Sequence, residues 1–234
     1  MSNWTRPQAI LFDLDETLSD RIAAFDAFTD LLIDRYPDLL ARGSREELKR
    51  LLRDADGHGY RSKTEVFDEF VQRSGWTQPP SAEEYVTFWR SVFPGCSLPM
   101  PHMLETLHYF REAGVRLGMI TNGSSLVQNG KIERLGIRSL FDVIVVSGEA
   151  GVQKPNPSIF RLTLDRLGAA SQAAWFVGDH PVNDIAGARS AGLTAIWFEG
   201  EEAWPANMSV QPDHVIRSLA EIVDLYRKAG TATA

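Results

Sequence analysis

The chain has 234 residues, 44% of them hydrophobic, which suffices to bury a real core as one large domain or as a core with a smaller insert. Its 24 basic against 31 acidic residues give a formal charge of −7, and no Lys/Arg cluster tracks a phosphate backbone, which argues against a nucleic-acid partner. A single cysteine, Cys96, excludes an internal disulfide, and no apolar run approaches the roughly 18 residues of a bilayer span. The opening "MSNWTRPQAI" lacks the apolar region of a signal peptide, so a cytoplasmic chain with no membrane association is expected.

Taken in chain order, "AILFDL" reads as a first strand. From about Ser19 to about Ser97 there is no convincing strand, and four helical patterns follow one another. Ile22, Phe25, Phe28 and Leu32 mark the first, and "SREELKRLLRDAD" the second, opening on a capping-box pair, Ser44 and Glu47. Val66, Phe67, Phe70 and Val71 mark the third; the fourth opens on Ser81 and Glu84 and carries Tyr85, Phe88, Trp89 and Val92. Beyond it, the strand-like runs "VRLGMIT", "FDVIVVS", "AAWFVGD" and "TAIWFEG" alternate with the helical runs "PHMLETLHYFREAG", "SLVQNGKIERLG", "PSIFRLTLDRLG" and "NDIAGARSAG". "SLAEIVDLYRKAG" closes the chain, with Leu219, Ile222, Val223 and Tyr226 on one helical face. The expected architecture is α/β, a Rossmann-like, doubly wound parallel sheet formed by residues 1–18 and 98–234, with residues 19–97 inserted as a separate helical bundle.

In open parallel sheets the ligand crevice lies beyond the carboxyl ends of the strands. Those positions hold Asp13, Asp15 and Thr17 after the first strand, Thr121 and Asn122 after the second, Lys154 in "GVQKPNP", and Asp179 and Asp184 in "WFVGDHPVND". Each alone has an ordinary structural explanation: an Asp-x-Asp-x-Thr turn satisfies loop amides, and Asp179 and Asp184 suit a helix start. Their succession at the ends of consecutive strands points instead to one shared site.

Carboxylates crowded together repel, and an oxygen-rich site with room for water suits Mg²⁺ held together with a substrate phosphate. Phosphoryl transfer follows, with one carboxylate as nucleophile and a second protonating the leaving alkoxide and then accepting a proton from water.

On Asp13-x-Asp15-x-Thr17, Thr121-Asn122, Lys154 and Asp179…Asp184 the sequence resembles the haloacid dehalogenase (HAD) superfamily, in the branch with a helical cap inserted after the first strand. The resemblance covers nearly the whole chain. It implies Asp13 as nucleophile, Asp15 as general acid/base, Thr17 as support of the turn, Thr121 and the Asn122 backbone as phosphate binders, and Lys154 as the charge-balancing lysine. It further implies a metal held by Asp13, the Asp15 carbonyl and Asp179, with Asp184 a second acid at the metal. Glu16 stands where Gly or Asp is common, and His180 where Ser or Thr is frequent.

The resemblance implies a Mg²⁺-dependent phosphatase of a small phosphorylated metabolite, a nucleoside monophosphate or a sugar or organic-acid phosphate, acting as a monomer or homodimer. Asp15 argues against a 2-haloacid dehalogenase, because a halide leaves without a proton. A sugar-phosphate mutase stays open, as does a non-catalytic phospho-accepting protein in another class. In the insert, "DADGHGYRSK" carries His58, Tyr60, Arg61 and Lys63; Arg21 and Arg61 are the candidate substrate contacts, and Phe88 and Trp89 are expected in the insert's own core. "GSSLVQNGK" fails as a P-loop, since the glycine spacing is too long and no Ser or Thr follows Lys131.

Overall fold

In the computed structural model, residues 5–41, 43–59, 61–200 and 204–230 are described. Tyr60 and the side chain of His58 lie outside them. The chain begins with strands β1 (Ala9–Phe12) and β2 (Ser19–Asp20), followed by helices α1 (Arg21–Arg35), α2 (Arg45–Asp56), α3 (Lys63–Ser74) and α4 (Ala82–Val92). Strand β3 (Leu98–Pro99) leads to helix α5 (Met103–Glu112), strand β4 (Arg116–Thr121), helix α6 (Ser125–Leu135) and strand β5 (Val143–Val146). Helices α7 (Ser147–Ala150) and α8 (Pro157–Leu167) precede strand β6 (Ala174–Gly178). A π-helical segment, Pro181–Ala186, runs into α9 (Gly187–Ser190), and strands β7 (Thr194–Phe198) and β8 (His214–Ile216) and helix α10 (Leu219–Ala229) complete the chain. The chain divides into two compact units, Met1–Asp20 with Pro99–Ala234, and Arg21–Leu98.

The first unit is built on a six-stranded sheet in the order β5-β4-β1-β6-β7-β8, with all neighbours parallel. Strands added after β1 run first to one side and then to the other, so the order reverses at β1 and a crevice opens beyond its carboxyl end. Alternation along β1 feeds both faces. Ile10 and Phe12 pack with Met103, Leu107 and Phe110 of α5 and Ile222 and Tyr226 of α10, while Ala9 and Leu11 pack with Ile159, Phe160 and Leu164 of α8. Gly136 and Gly168 end α6 and α8 in the left-handed conformation, as their sequence positions suggest.

The structure corrects several expectations. β1 stops at Phe12, two residues short of the apolar run, because Asp13 and Leu14 already belong to the turn. The run at 183–192 is not one regular helix; its first half lies in the π-helical segment. β8 is an additional strand of three residues, too short to show alternation.

Within the helical unit, Phe28 meets Tyr85, Phe88 and Phe93, and Phe67 stacks on Tyr85 at 4.7 Å. Trp89 stacks on Phe93 at 4.9 Å, so Phe88 and Trp89 pack as insert core. The buried stripe of α1 runs through Arg21, Phe25, Phe28 and Leu32, and Ile22, one position off that stripe, is exposed. Of the two expected capping boxes the one at Ser81 and Glu84 is complete. At Ser44 only the side-chain cap to the Glu47 amide forms, and a further full box appears at Ser62 and Glu65. No described helix is long and apolar enough to cross a membrane.

Candidate active site

The turn after β1 carries the first group. Asp13 donates its amide to Val177 O of β6 at 2.9 Å, which extends the parallel ladder by one bond and fixes where its carboxylate leaves the sheet. Backbone bonds close the turn, from Leu18 N and Ser19 N to Leu14 O and from Glu16 N to Ser19 O. Glu16 adopts a φ of 56°, the left-handed region that favours Gly, Asn or Asp and that a glutamate enters at some strain. Thr17 is fully buried, and its hydroxyl has no hydrogen-bond partner among the described residues, so the hydrogen bonds that close the turn come from the backbone.

Lys154 is the hub of the second group. Its Nζ lies 2.5 Å from Asp13 Oδ1 and 2.6 Å from Asp184 Oδ1, and the lysine is 3% exposed. The other Asp184 oxygen accepts from the His180 amide at 2.9 Å. Gly178, the last residue of β6, makes room for this carboxylate: a β-carbon there would come within 2.5 Å of Asp184 Cγ. His180 caps the following segment, its Nδ1 accepting from the amides of Val182 and Asn183 at 3.1 and 3.0 Å. Asp179 is half-buried, and its carbonyl accepts from Trp197 Nε1 at 2.7 Å.

Asp13, Asp179 and Asp184 each offer an oxygen within 4.8 Å of the others. Burial pushes the Asp13 carboxyl up to about 7, with Asp184 and Asp15 adding to the rise and Lys154 opposing it. Asp179 is raised well above the usual carboxylate range by burial and by its neighbours Asp184 and Asp13. Burial alone would depress the Lys154 ammonium, but Asp13 and Asp184 outweigh it and hold the lysine above its ordinary value. Three carboxylates facing one ammonium leave negative charge that a divalent cation would neutralise, and an all-oxygen donor set suits a hard ion. The residues present therefore fit a metal ion.

Thr121, the last residue of β4, is 1% exposed. Asn122 joins the site through the main chain of Lys154: its Nδ2 donates to Lys154 O at 3.0 Å, and its Oδ1 accepts from Lys154 N at 2.9 Å. Two residues absent from the expected set complete the arrangement. Gln128 and Lys131 on α6, each 2% exposed, hydrogen-bond Asp15, and Gln128 Nε2 also donates to Thr121 Oγ1. Their i, i+3 spacing, which puts both on one face of the helix following Thr121, is the sequence signal for them.

The structure thus brings together Asp13, Asp15, Thr121, Asn122, Lys154, Asp179 and Asp184. The two arginines belong to the helical unit. Arg21 is buried there and donates to Asp56 at 2.7 Å, with its guanidinium over Phe25 and Phe93. Arg61 donates to Ala55 O at 2.7 Å and to Glu69 at 2.5 Å.

Comparison with known proteins gives the same answer by a separate route. The haloacid dehalogenase-like hydrolase family matches residues 7–192. The chain is 32% identical over 228 residues to the glyceraldehyde 3-phosphate phosphatase of Methanopyrus kandleri, covering 94% of this chain and 97% of that one. It is also 32% identical over 240 residues to the ribulose-1,5-bisphosphate 5-phosphatase of Halopiger xanaduensis, covering 93% and 98%. The crystal structure of a HAD phosphatase from Thermococcus onnurineus superposes with a TM-score of 0.62 at 27% identity, covering 93% and 96%. Sheet order, strand-end carboxylates and a family match over most of the chain agree, and the protein belongs to the haloacid dehalogenase-like hydrolases.

Proposed function

We propose that this HAD-type phosphatase hydrolyses a small phosphorylated sugar or organic acid with Mg²⁺, through an aspartyl phosphate formed on Asp13. The observation that carries the reading is the gathering of Asp13, Asp179 and Asp184 at the strand ends with Lys154 bonded to two of them. Asp13, Asp179 and Asp184, with the Asp15 carbonyl, would hold the metal ion. When bound, Mg²⁺ would supply charge neutralisation at the phosphoryl oxygens.

This chain's own groups account for the rest. Lys154 holds the Asp13 carboxylate against rotation and adds positive charge beside the transferring group. Thr121 supplies a hydroxyl, and the amides after β4 supply donors, for the phosphoryl oxygens. Asp15 protonates the departing alkoxide and then takes a proton from the attacking water. The relatives named for glyceraldehyde 3-phosphate and ribulose-1,5-bisphosphate support a small sugar-type ester, and a relative named as a pyrimidine 5'-nucleotidase, matched over 56% of this chain, supports a nucleoside monophosphate as the second reading.

The test is inorganic phosphate release from a panel of phosphorylated metabolites, with and without Mg²⁺, using Asp13→Asn as the blank. Mg²⁺-dependent release by the unmodified protein alone supports the reading. Full activity in Asp13→Asn removes Asp13 as nucleophile.

A further inference from the structure

The peptide unit that joins Asp179 to His180 is held at both of its polar ends. Its carbonyl, Asp179 O, accepts from the indole Nε1 of Trp197 at 2.7 Å, and its N–H, on His180, donates to Asp184 Oδ2 at 2.9 Å. A peptide unit is planar and includes the Cα on either side. One rigid plane therefore carries the Cα from which the Asp179 carboxylate leaves and the N–H that holds the Asp184 carboxylate. Trp197 stands beside that plane because Gly178, the last residue of β6, pairs with Trp197 of β7 in the parallel register. β6 ends there, and a side chain of β7 reaches the next carbonyl. The indole is itself fixed: it is 5% exposed, belongs to the apolar cluster that includes Phe176 and Ile185, and meets the Trp204 ring in a T-shaped contact at 5.0 Å. A bulky side chain with two rotatable angles, packed in this way, is a rigid donor.

We propose that Trp197 is a positioning residue of the metal centre, whose indole N–H locks the Asp179–His180 peptide so that the Asp179 and Asp184 carboxylates face one cation together. The inference rests on the Mg²⁺ reading given above and extends it to a residue outside the strand-end set. Asp13, Asp179 and Asp184 offer oxygens within 4.8 Å of one another, a spacing that like charges oppose until a cation is present. Asp184 is restrained at both oxygens, by Lys154 and by the His180 amide. Among the described residues the Asp179 carboxylate accepts no hydrogen bond, so its place is set by its main chain, on which Trp197 is a side-chain hold. A buried indole N–H is satisfied by any carbonyl in reach; here the acceptor lies on the plane that two of the three acids share. Without this bond the plane is free to turn, which draws the His180 N–H away from Asp184 and loosens the main chain from which Asp179 leaves β6. Metal affinity is the property that falls, because the ion needs both carboxylates at coordinating distance at the same time.

The experiment records melting temperature against Mg²⁺ concentration, without substrate and at one pH, for the unmodified protein and for Trp197→Phe, which keeps an aromatic ring and removes the N–H. A bound ion raises the melting temperature once its concentration passes Kd, so weaker binding displaces the curve along the concentration axis. The expected displacement is at least about tenfold toward higher Mg²⁺. The Mg²⁺ concentration for half-maximal phosphate release should move in the same direction. A merely structural tryptophan lowers the melting temperature at every Mg²⁺ concentration with no displacement along that axis, and that result, or superposed curves, overturns the proposal. If Trp197→Phe does not fold, site-specific replacement of Trp197 by its benzothienyl analogue, which exchanges the N–H for sulfur at nearly constant shape, is titrated instead and must show the same displacement. An unmodified protein that Mg²⁺ neither stabilises nor activates defeats the metal reading and this inference together, whereas undisplaced curves in a Mg²⁺-responsive protein defeat the inference alone.

Discussion

Asn122 and Lys154 exchange two hydrogen bonds across 32 residues of sequence, amide to carbonyl at 3.0 Å and main-chain N–H to amide oxygen at 2.9 Å. This clamp ties the end of β4 to the loop before α8 and sets the main chain from which Lys154 reaches Asp13 and Asp184. Asn122→Ala removes both bonds and leaves two main-chain groups without their partner. A stability loss of about 1–3 kcal/mol is expected, with a fall in kcat because the lysine loses its anchor. Urea unfolding and phosphate release measure the two effects, and unchanged values for both would show that the clamp is dispensable.

Gly178 is needed by Asp184 rather than by its own backbone. A methyl group there would sit 2.5 Å from the Asp184 carboxylate, which has no slack because Lys154 and the His180 amide hold its two oxygens. Gly178→Ala is expected to cost about 1–3 kcal/mol as an overpacked site and to raise the Mg²⁺ concentration needed for half-maximal activity. A metal titration of the variant that overlays that of the unmodified protein would rule this out.

The raised carboxyls make the metal-free protein sensitive to alkali. Asp13 titrates near 3.8 when unfolded and at about 7 in the fold, so the fold binds its proton more tightly than the unfolded chain. That contribution is fully present below about pH 4 and is lost as the pH rises through about 7, and Asp179 acts in the same direction. In EDTA the folding free energy should therefore fall between about pH 4 and pH 7, by up to about 1.4 kcal/mol per pH unit for each raised carboxyl, and the melting temperature should fall with it. Mg²⁺ added at pH 8 should recover it, since the ionised carboxylates are the metal-binding form. A flat EDTA profile across this range would contradict the assignment.

The helical unit has a buried charge cluster of its own. Asp56, 3% exposed, accepts from Arg21 at 2.7 Å and from Lys63, and Lys63 also lies over the Trp89 ring. Burial would raise the Asp56 carboxyl, but Arg21 and Lys63 together hold it below the usual range. Asp56→Ala leaves the Arg21 charge buried without this partner and should cost about 3–5 kcal/mol. Asp54→Ala, which among the described residues removes exposed pairs to Arg50 and Arg73, should cost less than about 1 kcal/mol. Equal losses in denaturant unfolding would mean that the cluster contributes no more than a surface pair.

The positions that line the crevice could be read from the chain because strand ends are marked by local pattern. A short apolar run that stops at Asp13, Thr121 or Asp179 announces both the strand and the residue beyond it. Lys131 and Gln128 stand outside that logic, because they lie within α6 rather than at a strand end. Helical periodicity assigns polar residues to solvent, and their burial depends on a carboxylate 113 to 116 positions away. Ile22 is exposed although the periodicity places it on the buried stripe of α1, and Arg21 takes a place in that stripe, where Asp56 and two aromatic rings partner its guanidinium. The sequence by itself determined the α/β alternation, the helical character of the insert and the identity of the strand-end acids, since these follow from the side-chain periods of strand and helix. Only the tertiary structure decided which donor meets which carboxylate. Hydrogen bonds and ion pairs act over about 3 Å, and the topology of the sheet, with its reversal at β1, sets which distant residues come within that reach.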